Sequence, residues 1–198
     1  MAYVTNEEVA KFIGWDFENA GLMEQIQLIL AYVEPQIDAY CNASFASDTN
    51  DKIFNGTGNQ ILQTSIFIRE ITVGILIDED GLKVADIDLE GIILGPAEPR
   101  SGVYRYIERR ASHGNWPLGL QNVKLTGKWG FDTVPVPVKG AIALTVKSFF
   151  DTRDYNQYLK YESNLSRNVQ YRDDIDIIPL PARKILNSYR LQPIAFPG

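Results

Sequence analysis

The sequence predicts an α+β fold: a small helical bundle, built from both ends of the chain, interrupted by an antiparallel β insertion. Helix-period apolar faces run through residues 5–41 and 137–190, while residues 52–133 carry strand-like alternation and glycine-containing turns. A long helix with one apolar face must bury it against something, and the available partners for the first helices lie beyond the insertion. The 198 residues therefore divide into a split bundle (1–51 and 134–190), a β-rich insertion (52–133) and a C-terminal tail (191–198). A hydrophobic content of 45% against 22% charged residues supports a real core.

Thr5 followed by Glu8 reads as a capping box, with Val4 and Val9 placed as a hydrophobic staple, so a short helix should run to about Gly14. A longer helix follows from Ala20 to Cys41, with Leu22, Ile26, Ile29, Val33, Ile37 and Tyr40 forming one stripe. Pro35 interrupts it and predicts a bend there, or two helices in tandem. Ala43 to Asn50 reads as a loop.

The insertion opens with a predicted hairpin, Lys52–Asn55 and Gln60–Gln63 flanking Gly56-Thr57-Gly58-Asn59. Ile71, Val73, Ile75 and Ile77 alternate up to an Asp80-Gly81 turn, and residues 82–89 return as a strand. The alternation slips between Ile68 and Ile71, which places a bulge at Arg69-Glu70. Further strands are expected at 103–110 and through Val123, Leu125, Gly127, Trp129 and Phe131, which share one face. Five or six strands suffice for a small sandwich or barrel-like sheet.

Pro135 and Pro137 close the β region, and Pro137 suits the first turn of a helix. Val138, Ile142, Val146 and Phe149 form that helix's core stripe. Residues 151–176 are polar, with tyrosines spaced through them; the helix continues to about Lys160 and an arm follows. Pro181 opens a last helix in which Ala182, Ile185, Leu186 and Tyr189 share a face.

Charge narrows the function classes. Net charge is −6, and residues 1–51 alone contain nine acids against Lys11. Such a surface disfavours tight binding of a phosphate backbone while allowing DNA to pass. The single Cys41 excludes an internal disulfide framework. No apolar run reaches membrane-span length and the first residues lack signal-peptide character, which fits a protein made in the cytoplasm.

Catalytic chemistry finds little support. His113 stands alone in a turn-like segment with nothing local to orient it, so a surface loop residue is the reading. Asp78-Glu79-Asp80 with Asp86 and Asp88 reads as a solvated turn and strand face rather than a metal site. Gly56-Thr57-Gly58 fails the dinucleotide fingerprint because Ile61 stands where the third glycine belongs. No enzyme, cofactor or metal is predicted. The apolar residues of the proline-bounded tail, by contrast, suit docking onto a partner, with a frayed terminus as the alternative.

Three passages carry a family resemblance. Asn122-Val-Lys-Leu-Thr-Gly-Lys-Trp-Gly-Phe131, leading through the prolines into a helix, resembles the strand–proline–helix passage of tailed-bacteriophage head–tail connector proteins, also called adaptor or head-completion proteins. Glu34 to Cys41 followed by Ser44-Phe45 resembles that family's first long helix and its exit. Residues 180–190 resemble its terminal helix. The resemblance implies a structural virion protein of the neck without catalytic activity or cofactor. It would form a homo-oligomeric ring, commonly dodecameric, beneath the portal protein. Such a ring extends the DNA channel to a stopper or tail-completion protein. By analogy, Ile185, Tyr189, Leu191, Ile194 and Phe196 are the expected portal-binding anchors, and Glu24, Glu34 and Asp38 the expected acidic channel lining. Another phage neck, tail-end or baseplate adaptor is the alternative, and a small hydrolase with carboxylates assembled only in three dimensions is a third.

Overall fold

The structure, a computed structural model, describes residues 2–16, 18–95, 102–162 and 177–191, with the backbone alone for 152–162. The described residues form two compact units: the first from Met1–Cys41 with Val136–Arg190, the second from Asn42–Pro135 with Leu191–Gly198. The α+β class expected from the sequence is what the structure shows.

The first unit is helical. Helix α1 (Asn6–Ile13) starts at Thr5, whose side chain accepts from the Glu8 N–H while the Glu8 carboxylate accepts from the Thr5 N–H, a complete capping box. Val4 and Val9 are both buried. Gly14 ends the helix in the left-handed region at φ 75°, which glycine adopts without a Cβ penalty.

Helix α2 (Ala20–Cys41) runs unbroken through Pro35, so the tandem-helix expectation is corrected. The proline ring removes the bond to the Ala31 carbonyl, but Ala31 and Pro35 both lie on the exposed side, where water can satisfy that oxygen. The buried stripe is Ile26, Leu30, Val33, Ile37 and Cys41. Compared with the expected stripe, Leu30 replaces Ile29 and Cys41 replaces Tyr40. Adjacent apolar residues made both rotations plausible in sequence, and packing chose between them.

Helix α3 (Val136–Glu162) packs against α1, α2 and the short helix α4 (Leu180–Leu186). Its buried face includes Val138, Ala141, Ile142, Ala143, Thr145 and Val146. Trp15 meets Phe150 edge-on with centroids 4.5 Å apart, and Tyr32 meets Phe149 at 5.8 Å. Lys139 on α3 pairs with Glu8 of the capping box at 2.6 Å.

The second unit contains one antiparallel sheet of six described strands: β1 (Asp51–Gly56), β2 (Ile61–Ile77), β3 (Lys83–Asp86), β4 (Ile92–Gly95), β5 (Tyr104–Arg109) and β6 (Gly119–Trp129). The order is β1-β6-β2-β5-β4, with β3 joined to the far end of β2. Strand β2 serves three neighbours: residues 61–63 and Ile68 pair with β5, residues 68–76 with β6, and residues 75–77 with β3.

The expected β1–β2 hairpin is absent because β6 lies between those strands, pairing Phe54 and Leu76 with the same Val123. The intervening turn is instead tied by side chains. Asn122 Oδ1 accepts from the Gly56 N–H at 2.7 Å, and the Thr57 hydroxyl donates to the Ile61 carbonyl at 2.8 Å.

The bulge expected at Arg69-Glu70 is present as register shifts between Ile68 and Glu70 and between Ile71 and Val73. Opposite it sits Gly127, where a Cβ would come within 2.1 Å of the Glu70 carbonyl oxygen. Leu62, Ile68, Ile107, Trp116, Val123, Leu125 and Trp129 form the core of this unit. A second cluster joins Phe45, Phe67 and Phe131, with the Phe67 and Phe131 centroids 4.8 Å apart. Phe45 comes from the segment read as a polar loop. Its burial explains why that segment is ordered against β6 through Asp48 and Trp129, whose backbones exchange two hydrogen bonds.

Candidate interaction surfaces

Among the described residues no group of three or more His, Cys, Asp and Glu side chains is placed to hold a metal ion. The acids considered for that role have local tasks. Asp78 Oδ1 accepts from the N–H groups of Asp80 and Leu82 and closes the turn before β3. Asp86 pairs with Lys83 at 2.7 Å.

His113 sits in a short turn, and a residue far away in sequence helps to orient it. Its Nε2 lies 3.1 Å from Asp88 Oδ2, and its Nδ1 lies 2.9 Å from the Ser112 hydroxyl. A Cβ on Gly91 would come 2.5 Å from the imidazole Cγ, so the ring lies directly on that glycine. The three polar side chains share the residue types of a hydrolase triad, but the hydroxyl belongs to the histidine's own neighbour and sits on Nδ1. What the arrangement does is fasten the 3-10 turn at Leu89–Gly91 to the one at Ala111–His113.

Cys41 is fully buried at the end of α2, and burial pushes its thiol up to about 12. A thiol held so far from its thiolate form is inert at neutral pH.

The three acids expected at a channel divide into two kinds. Glu24 is exposed on α2. Glu34 and Asp38, one turn apart, hold Tyr3: its N–H donates to Glu34 Oε1 at 2.7 Å, and its phenol donates to Asp38 Oδ2 at 2.6 Å. Burial raises the Glu34 carboxyl above the ordinary glutamate range, with the Tyr3 N–H pulling the other way. The segment before α1 is thereby tied onto α2, beside an open groove of about 640 Å³ lined by Val4, Asn6, Gln27, Leu30 and Glu34. Glu7, Asp16 and Glu18 are exposed along with Glu24.

Of the expected C-terminal anchors, Ile185 and Tyr189 are half-buried and Leu191 is buried, while Ile194 and Phe196 lie outside the described residues. Tyr40 links α2 to this region. Its hydroxyl donates to Asn187 Oδ1 at 2.7 Å, and the Arg190 guanidinium sits 5.4 Å from its ring centroid.

Sequence reasoning missed the apolar side chains that stay outside. In the helical unit these include Phe12, Leu28, Tyr32 and Leu180; in the β unit Leu118 and Leu120 are 82% and 84% exposed. For α2 the signal was present as apolar positions that fit no single stripe. Among the described residues no helix is long and apolar enough to cross a membrane.

No protein-family model and no curated protein matches the chain. Solved structures do. A chain in the neck of an empty gene transfer agent particle, computed with C6 symmetry, aligns with a TM-score of 0.53 at 15% identity, covering 94% of this chain and 90% of that one. A chain in the virion of the native gene transfer agent particle gives 0.55 at 14% identity over 98% and 92%. A third, from the neck of the native particle computed with C12 symmetry, gives 0.51 at 13% over 94% and 90%. At these identities the likeness is one of fold, and it extends over nearly the whole of each chain.

Proposed function

We propose that this protein is a structural component of the neck of a phage-like particle. Its specific role is that of a head–tail connector: a ring beneath the portal that carries the DNA channel to the next neck or tail protein. The observation that supports this reading is the near-complete fold likeness to chains of gene transfer agent necks, computed with sixfold and twelvefold symmetry. The helical ends, residues 1–51 and 134–190, are the ring body, and the β insertion at 52–133 contacts neighbouring copies or the next neck component. The tail at 191–198 grips the portal with Ile194 and Phe196, aided by Ile185, Tyr189 and Leu191.

Electrostatics fits a passage for DNA. A wall rich in carboxylates repels phosphates and lets a duplex slide without sticking. Since Glu34 and Asp38 are half-buried behind Tyr3, that repulsion rests mainly on the exposed Glu7, Asp16 and Glu18. No catalytic step is assigned.

Removing the protein from the particle's assembly pathway tests the role. Electron microscopy should then find DNA-filled heads and finished tails that are not joined, and resupplying the full chain should join them. Joined particles in its absence would contradict the proposal.

A further inference from the structure

Helix α2 is apolar on two opposite faces. At about 100° per residue, Leu28, Ala31, Pro35 and Ala39 lie roughly across the helix from the buried stripe of Ile26, Leu30, Val33 and Ile37. All four are exposed, Leu28 by 68%. The outer stripe is an exposed apolar patch of the kind that marks an interaction surface. Glu24, also exposed, sits one turn before Leu28 on the same face.

The same unit carries a matching pair on α4. Leu180 is 65% exposed, and the exposed Lys184 follows it by one turn. One surface offers an apolar side chain beside a carboxylate, the other an apolar side chain beside an ammonium. We propose that the outer face of α2 packs against α4 of a second copy of this chain, with Leu28 on Leu180 and Glu24 opposite Lys184. Glu24 precedes its leucine and Lys184 follows its own, so both pairs meet only when the two helices run antiparallel. The occupant follows from charge: residues 1–41 hold seven acids and one base, whereas α4 presents the exposed Lys184, its neighbour Arg183 donating to the Ile178 carbonyl and Arg190 lying on Tyr40 of the same chain.

A contact between two different patches either repeats around an axis or occurs twice across a two-fold, and the ring reading selects the first. This assignment rests on the ring reading above and says which surfaces form the seam. Glu24 then lies at the seam, leaving Glu7, Asp16 and Glu18 to the passage.

The test uses the full chain carrying Glu24→Cys mixed with the full chain carrying Lys184→Cys, treated with a short bismaleimide linker. Both sites are exposed, so folding is retained, and the buried Cys41 stays silent. The mixture should give a linked dimer on a denaturing gel, and neither variant alone should. In parallel, Glu24→Lys should weaken assembly of the chain about tenfold by native mass, and Glu24→Lys with Lys184→Glu should restore it. If the wild-type chain forms rings, alone or on a portal, but the mixture yields no linked dimer, the seam is overturned and the ring stands. Linkage of Glu24→Cys to itself also overturns the seam, because it reports a two-fold contact. If the wild-type chain forms no multimer in either setting, the ring reading fails, and the seam with it.

Discussion

Tyr3 ties the start of the chain to the acid-rich α2 through two hydrogen bonds, and the chemistry of that tie predicts a pH response. Burial raises the folded-state Glu34 carboxyl above its unfolded value. Between those two values the folded protein holds more protons, so this group's contribution to stability falls as pH rises through the window. Above the window it stays at its lower level; below the unfolded value the penalty is gone. Glu34→Gln keeps an acceptor for the Tyr3 N–H without the charge. Its stability should at least equal that of the wild type at pH 7 and lose that advantage below the ordinary glutamate range, as read by urea midpoints across pH. A variant less stable at pH 7 than at pH 4, relative to wild type, would contradict this. Reading such a tie from sequence is not possible, because Tyr3 and Glu34 are 31 residues apart and only folding brings them together. The Thr5–Glu8 capping box, confined to one turn, was legible in full.

Elements show the same division between local and long-range information. The bulge in β2 is written into the slip of alternation between Ile68 and Ile71, and the register shift falls there. The glycine that permits it is on another strand: Gly127 admits the Glu70 carbonyl where a Cβ would collide at 2.1 Å. Gly127→Ala should therefore destabilise the protein by on the order of 3 kcal/mol or prevent folding, lowering the urea midpoint sharply. An unchanged midpoint would show that the strands separate readily at the bulge. Helix α2 was legible as a helix, but which of Ile29 and Leu30 turns inward was not, since both are apolar and adjacent. The second apolar stripe through Leu28 was hidden for the same reason, and exposure in the folded chain separates it from the first. Pro35 was misleading because exposure of Ala31 and Pro35 lets water take up the orphaned carbonyl, and packing of the buried stripe on either side keeps the helix continuous.

At the scale of the molecule, periodicity switching from helix to strand and back was enough to define the α+β class. Strand order was not recoverable. Lys52–Asn55 and Gln60–Gln63 looked like two arms of a hairpin, yet β6 pairs more extensively with both strands and inserts between them. That choice depends on side chains some seventy positions away in the chain, such as Val123 opposite Phe54. The acidic start and the apolar end stand out in composition, whereas the exposed outer face of α2 required the fold. The fold likeness to neck chains and the uneven charge together motivate the central claim that this chain works as one copy within a ring. Native mass measurement of the full chain, alone and mixed with the portal protein of the same particle, tests it most directly. A multi-copy complex of fixed stoichiometry, formed by the chain itself or on the portal, is the expected result; a monomer in both samples, with portal unbound, would contradict the ring.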